Sequence, residues 1–249
     1  SVQELSEVLK GCRCTIMVKN PVNPDLELWI GAIERFLKFN QEVMAIHRGF
    51  YPYEQTAYRN IPKWEIPIEL KTRMPQIPII CDPSHIAGNR VLIEEVAQYA
   101  LDLNFDGLMI ESHIDPDKAL SDAFQQLAPA QLFEILDNLQ FRTDDSVSTT
   151  LTDLNAYRNQ IDSIDTQILE LLAQRMDVTR RIGHYKTTHN VAAFQLNRWK
   201  KIIKTRMELG GALGLNRDFV KKMLQGVHKE SIRIQAELMH KHKNKSTDL

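Results

Sequence analysis

The chain is short of the features that mark secreted, membrane-embedded or nucleic-acid-binding proteins. Three cysteines, Cys12, Cys14 and Cys81, stand among 249 residues; that is too few for a disulfide framework, and no secretory leader precedes them. No apolar run reaches the ~20 residues of a membrane-spanning helix. Charge of one sign is also missing: 31 basic residues against 32 acidic ones leave a net charge of −1. No electrostatic footprint for nucleic acid or a lipid surface exists, so neither is expected as a partner. These absences point to a protein of the reducing cytoplasm. What remains, 43% hydrophobic and 25% charged residues, is the composition of a globular protein. There is no initiator Met, and SVQELSEVLKG at the start reads as the end of a helix, so the chain is expected to begin within a fold.

The first 140 residues alternate between short apolar runs and helical stretches. TIMV (15–18) precedes a helix from about Asp25 to Phe39, and VMAIH (43–47) precedes one near Glu65 to Arg73. IPIIC (77–81) leads to a helix over Arg90 to Leu103, and DGLMI (106–110) to one near Ala130 to Leu139. Four βα units in series imply parallel strands joined by right-handed crossovers. The strands are continuously apolar, as buried parallel strands are. The polar, small-residue stretch TDDSVSTTLTD (143–153) reads as a linker, with bounds placed at 141–151. After it the strand signal stops. Helices are expected from about Thr152 to Lys186, Leu196 to Leu209 and Arg217 to His240, with the glycine-rich LGGALGLN (209–216) breaking the last two apart. The lysine-rich residues 241–249 read as a flexible tail.

Each strand ends in chemically able residues: Lys19-Asn20-Pro21, His47-Arg48-Gly49, Asp82-Pro83-Ser84-His85, and Glu111-Ser112-His113 with Asp122 beyond. Ligands of parallel α/β folds bind at this carboxyl edge. Lys19 and Arg48 on adjacent strands suit a phosphate, Arg adding its bidentate fork. His85, Glu111 and Asp122 supply one nitrogen and two carboxylates, a set that suits manganese, iron, cobalt or zinc.

These stretches, KNPVNPDLELWIGAIER, AIHRGF, IICDPSHIAGNR and GLMIESHIDPDKALSDA, resemble the last four βα units of type I-beta 3-deoxy-D-arabino-heptulosonate 7-phosphate (DAHP) synthase. The resemblance implies the C-terminal half of a (β/α)8 TIM barrel over residues 1–140. It also implies a metal-dependent condensation of phosphoenolpyruvate with erythrose 4-phosphate. Lys19 and Arg48 would then hold phosphoenolpyruvate, and His85, Glu111 and Asp122 the divalent metal. The family's Gly-Pro-Cys-Ser and Lys-Pro-Arg-Thr motifs do not occur here. Four strands cannot close a barrel, so the synthase reaction is expected of a parent carrying the complete barrel.

The helical half carries a different signal. Leu154, Tyr157, Ile161, Ile164, Ile168, Leu171, Arg175, Val178, Ile182 and Tyr185 form an apolar stripe at helical spacing with one guanidinium inside it. A buried permanent cation needs an anion, so Arg175 is expected to be buried and to meet one. Lys186 lies about three turns on, roughly 16 Å, within reach of the same small ligand. Arg158 is on the order of 42 Å from Lys186 and cannot join it within one helix. Two antiparallel copies crossing near Ile168 or Leu169 bring them together, and a second copy also covers the stripe. Arg198 adds a cation, and Ser231 and Gln235, one turn apart, add neutral hydrogen-bonding groups. No nucleophile–base pair or phosphate loop stands out. Cations with neutral donors bind a carboxylate-rich ligand and stabilise charge without a covalent step.

YRNQIDSIDTQILELLAQRMDVTRRIGHYK resembles the long first helix of the all-helical chorismate mutases, and the likeness runs over about residues 151–240. The fold class expected for the whole is therefore α/β plus all-α, a partial barrel followed by a three-helix domain that dimerises through its 152–186 helix. The resemblance implies rearrangement of chorismate to prephenate. Arg175, Lys186, Gln235 and the partner subunit's Arg158 would act on the reacting atoms. Arg198, Ser231 and Gln195 would bind substrate, and no cofactor is implied for this part. Gln195 stands where the family often has an acid, and Trp199 where it often has a glutamate; packing is the role expected of Trp199. The alternative is a helical module that senses prephenate and regulates the barrel allosterically.

Overall fold

Four short strands, each followed by helix, build the first part of this computed structural model, which describes residues 1–39, 42–52, 55–142 and 152–245, the side chains of 152, 153 and 241–245 excepted. The elements run α1 (Val2–Val8), β1 (Ile16–Lys19), α2 (Leu26–Leu37), β2 (Val43–His47), α3 (Glu65–Arg73), β3 (Ile79–Cys81), α4 (Pro83–Ala87), α5 (Ile93–Asp102), β4 (Gly107–Leu108) and α6 (Pro129–Asn138). The strands pair in parallel in the order β1-β2-β3-β4, with Lys19 opposite Ile46 and His47 opposite Cys81. Each strand is followed by its helix before the next begins, the βα alternation expected from the sequence.

The core lies between sheet and helices. α2 turns Trp29, Ile33 and Phe36 inward at positions i, i+4 and i+7, against Val18, Ala45 and Ile79 of the strands. The Trp29 indole N–H donates to the Val18 carbonyl at 3.1 Å, so the largest core side chain leaves no polar atom unpaired. A second cluster, with Ile93, Ala97, Leu101 and Ile135, packs α5 and α6 together.

Three helices form the second part: α7 (Thr152–Thr188), α8 (Leu196–Ala212) and α9 (Arg217–Lys245). The chain divides into compact units at Ser148/Thr149. α9 packs along α7; Leu172, Met176, Thr179 and Gly183, at spacings of four and three, are among the covered positions of α7, and Gly183 lies against Leu238 and Gln235 of α9.

Several expected boundaries move. The first strand sits one residue later, at 16–19, and the third and fourth shrink to 79–81 and 107–108. α4 was not expected at all. The helix expected from Arg90 opens with a 3-10 turn over Arg90–Leu92. The glycine-rich break at 209–216 is half helix, since α8 runs on through Gly210 and Gly211 to Ala212. The reason is tertiary: a Cβ on Gly210 would lie 2.8 Å from Val220 Cγ2, so glycine lets α8 and α9 approach closely and the contact outweighs its poor helix propensity. α9 likewise continues to Lys245, five residues into the expected tail. The rest of that tail, 246–249, and the linker residues 143–151 lie outside the described residues.

The stripe expected to be buried is open in the single chain: Ile164 is 53% exposed, Ile168 48% and Leu171 62%. Arg175, expected as a buried cation, is exposed as well. α9 takes the adjacent face of α7 instead, one residue round from the stripe.

Candidate functional site

At the carboxyl edge of the sheet, Asp82 caps α4. Its Oδ1 accepts from the His85 backbone N–H at 3.1 Å, and its Oδ2 lies 2.8 Å from His85 Nδ1. That fixes the ring, and Nε2 points to Glu111 Oε1 at 3.7 Å and Asp122 Oδ2 at 3.9 Å. Burial alone would raise the Asp82 carboxyl, but the hydrogen bonds and charge of His85, with Lys19, hold it below the usual carboxylate range. Lys19 Nζ reaches Asp82 Oδ2 at 3.4 Å, so the end of β1 is tied to the same carboxylate. Arg48 follows β2; its backbone N–H donates to Asn20 Oδ1 at 2.7 Å, and Asn20 Nδ2 donates to the Gly49 carbonyl. Asn20 thus sets the loop that carries Arg48.

His85, Glu111 and Asp122 each offer a ligand atom within 4.8 Å of the others. The two carboxylates are each held by one oxygen and open at the other. Glu111 Oε2 accepts from Gln125 at 2.9 Å and Gln126 at 3.1 Å. Asp122 Oδ1 accepts from Arg59 at 2.9 Å. The oxygens facing His85 carry none of these bonds. One imidazole nitrogen and two oriented oxygens fit a divalent cation of intermediate hardness. Asp122 itself sits at φ 49°, in the left-handed region, a conformation Asp tolerates better than most. Arg59 went unnoticed in the sequence because it sits in a loop between expected elements. Its indirect signal is Gly88, at φ +69°, where a Cβ would meet Arg59 Cβ at 2.4 Å.

In the helical unit, Arg175, Lys186, Gln195, Arg198, Ser231 and Gln235 line one cavity of about 300 Å³, walled by Val178, Ile182, Ile202 and Ile232. The six residues expected to bind ligand from within one chain are therefore brought together. Arg175 Nη1 donates to Ser231 Oγ at 2.6 Å, and that hydroxyl donates on to the Val227 carbonyl at 2.7 Å. Lys186 Nζ donates to the Ala193 carbonyl at 2.7 Å. Although Arg175 is exposed as a whole residue, partial desolvation of its guanidinium and of the Lys186 ammonium pushes both cations below their usual pKa values. None of the residues lining the cavity is acidic. Three cations thus face one space with no protein carboxylate to neutralise them.

Trp199 packs, as expected, and its partner is His228: the rings are stacked 3.8 Å apart with 11° between planes. His228 went unnoticed in the sequence, although it stands three and seven residues before Ser231 and Gln235, on the same face of α9. Arg158 is not part of this cavity. It stands 17 residues before Arg175 on α7, about 25 Å along the axis, beside Asn155.

The DAHP synthetase I family model matches residues 2–147. The chain belongs to that family. A second family model, chorismate mutase type II, matches residues 157–236, so a DAHP synthase part and a chorismate mutase part are fused in one chain. The chain is 32% identical over 88 residues to a phospho-2-dehydro-3-deoxyheptonate aldolase of Thermotoga maritima, a match covering 35% of this chain and 25% of that protein. It is 30% identical over 85 residues to a bifunctional chorismate mutase/prephenate dehydratase of Buchnera aphidicola, covering 34% and 22%. A truncated DAHP synthase from Thermotoga maritima superimposes with a TM-score of 0.48 at 24% identity, over 54% of this chain and 51% of that one. The chain spans about a quarter of the length of these curated relatives. Among the described residues no helix is long and apolar enough to cross a membrane.

Proposed function

We propose that the helical unit rearranges chorismate to prephenate, and that the α/β unit belongs to a metal-dependent DAHP synthase barrel completed by further strands. The observation that carries the first reading is the acid-free cavity holding Arg175, Lys186 and Arg198. A dicarboxylate satisfies such a site and a neutral ligand does not. Arginines gripping both carboxylates hold the flexible chain of the substrate in a reactive chair, which is catalysis by orientation. Lys186 and Gln235 donate to the ether oxygen, where negative charge grows as the bond breaks. Neither a cofactor nor a covalent intermediate is required.

The same reading makes the molecule a cytoplasmic homodimer. The open stripe on the N-terminal part of α7 needs a cover. A second α7 running antiparallel supplies it and carries the partner subunit's Arg158 to the cavity. In the barrel unit, Lys19 and Arg48 bind phosphoenolpyruvate. His85, Glu111 and Asp122 hold manganese, iron, cobalt or zinc, which polarises a substrate carbonyl when bound. Erythrose 4-phosphate is the second substrate of the complete barrel.

The test is prephenate formation from chorismate by the wild type, Arg175→Ala and Lys186→Ala. Each substitution is expected to lower kcat/KM at least about 100-fold, the scale of a lost transition-state donor. Unchanged turnover in both would overturn the reading. A second reading, a prephenate sensor that regulates the barrel, is favoured by Gln195 and Trp199 lining the cavity where acids are common. Calorimetric prephenate binding with negligible turnover in the wild type would select it.

A further inference from the structure

The last carbonyls of a helix find no partner within it. Those of α4 are met by one neighbouring segment. Asn60 Nδ2 donates to the His85 carbonyl at 2.7 Å, the Asn60 backbone N–H to that of Ile86 at 3.2 Å, and the Arg59 backbone N–H to that of Ala87 at 3.3 Å. Residues 59 and 60 are thereby fixed to the helix that bears His85. The Arg59 side chain then crosses Gly88, where an added Cβ would lie 2.4 Å from Arg59 Cβ, 3.2 Å from Cδ and 3.3 Å from Cγ. The stem fills the space of the side chain that Gly88 lacks, so glycine sets the path of the arginine.

The guanidinium serves both carboxylates that face His85. Nη1 carries two N–H groups; it donates to Asp122 Oδ1 at 2.9 Å and to Gln125 Oε1 at 2.8 Å. Gln125 Nε2 donates on to Glu111 Oε2 at 2.9 Å. An amide fits its site either way round unless its neighbours decide. Here they do. A guanidinium only donates and a carboxylate only accepts, so Oε1 faces Arg59 and Nε2 faces Glu111. Gln125 is 1% exposed, so water does not compete for the relay. Gln126 adds a second donor to the same Glu111 oxygen at 3.1 Å, outside this relay. The His85 ring is held separately, by Asp82.

A carboxylate left to rotate must be ordered when it takes up a cation, and that ordering weakens binding. We propose that Arg59, with Gln125 as its relay, is the positioning residue for both carboxylate ligands, turning Glu111 Oε1 and Asp122 Oδ2 toward His85 before a divalent cation arrives. The inference rests on the reading of His85, Glu111 and Asp122 as a metal site. The charge of Arg59 opposes its geometry. A guanidinium beside the site repels the incoming cation, so whatever affinity Arg59 adds comes from orientation.

That opposition makes the role testable. The experiment titrates Mn²⁺ by calorimetry into the wild type, Arg59→Met, Gln125→Leu and the double variant. Melting curves report folding, and the visible absorption of bound Co²⁺ reports ligand geometry. Charge alone would make Arg59→Met bind more tightly. The expected result is the reverse, an affinity about 10–100-fold lower, the scale of a lost support behind a metal ligand, with an altered Co²⁺ spectrum. Gln125→Leu should lose about tenfold, the lower end of that scale, since Gln126 still holds Glu111. The double variant should lose less than the product of the two single losses, because the relay is one unit. Losses that multiply would show that Gln125 supports Glu111 without Arg59 and would overturn the relay. Arg59 is exposed, so Arg59→Met decides alone if Gln125→Leu does not fold: a folded variant that binds Mn²⁺ as tightly as the wild type, or more tightly, overturns the proposal and leaves the metal site standing. A wild type that takes up neither Mn²⁺ nor Co²⁺ overturns the metal reading and this inference together.

Discussion

Asp82 grips His85 at two points, its backbone N–H at 3.1 Å and its ring Nδ1 at 2.8 Å. The carboxylate is 1% exposed, so neither bond competes with water. The consequence is a fixed imidazole whose Nε2 can face only Glu111 and Asp122. A carboxylate behind a ligating histidine orients the ring and strengthens it as a donor, and removing it costs about 10–100-fold in metal affinity. Asp82→Asn is therefore expected to weaken Mn²⁺ or Zn²⁺ binding by about that factor, measured by calorimetry on the protein as it stands. Its melting temperature is a necessary control, because Asp82 also caps α4 and Asn caps about equally well. Unaltered affinity in Asp82→Asn alongside lost affinity in His85→Ala would show that the ring needs no such support.

The dimer is tested at Ile168. In one chain this residue is 48% exposed. Ile168→Glu thus removes little from the folded single chain. In an antiparallel pair crossing near this position, two glutamates would face each other in an apolar seam. Like charges opposed there disrupt the interface. The expected outcome is a dimer for the wild type and a monomer for Ile168→Glu in sedimentation velocity at micromolar protein. Turnover should fall with assembly, since Arg158 stands about 25 Å from Arg175 on its own helix. A monomeric wild type that turns over chorismate would refute the shared site.

What could be read beforehand was what local pattern decides. VMAIH at 43–47 is a mostly buried run, apolar up to its closing His47, and it is a strand over those five residues. Helical spacing puts Arg175 and Lys186 within reach of one small ligand and Ser231 one turn from Gln235; that these two pairs share a site is implied by the family resemblance, and the cavity they line is visible only in the fold. What escaped needed three dimensions. α4 has five residues, too few for any periodicity, and rests on the Asp82 cap and Gly88. Gly210 reads as a helix breaker until Val220 is placed against it. Arg175 reads as buried because the stripe around it is apolar, yet that apolarity faces outward in one chain. His228 was within reach of the helical spacing but carries meaning only once Trp199 lies on its ring. Asp82 and His85 were both noticed, and their pairing was not, because it depends on side-chain torsions that spacing does not fix.

His47 makes the remaining prediction. It is fully buried at the end of β2, among the rings of Trp29, Phe50, Trp64 and Phe105, with centroids 5.2–6.4 Å away. Burial pushes its pKa from 6.5 down to about 3, with the Pro62 carbonyl and the Asp82 charge pulling weakly the other way. The sign follows from linkage. Below pH 6.5 the unfolded chain binds a proton at this position and the folded one does not, so stability falls as the pH falls. The slope for one such group approaches about 1.4 kcal/mol per pH unit. The window runs from about pH 6 to pH 4, above the range in which the paired carboxylate of Asp82 is protonated. His47→Phe removes the titration. It costs about 1–3 kcal/mol at neutral pH through overpacking of a full core, so absolute stability is not the readout. The difference between wild type and variant is: urea unfolding at pH 7, 6, 5 and 4 should show the gap narrowing by about one proton's worth per unit, and even reversing at the acid end. Parallel curves would mean that His47 is protonated in the folded protein.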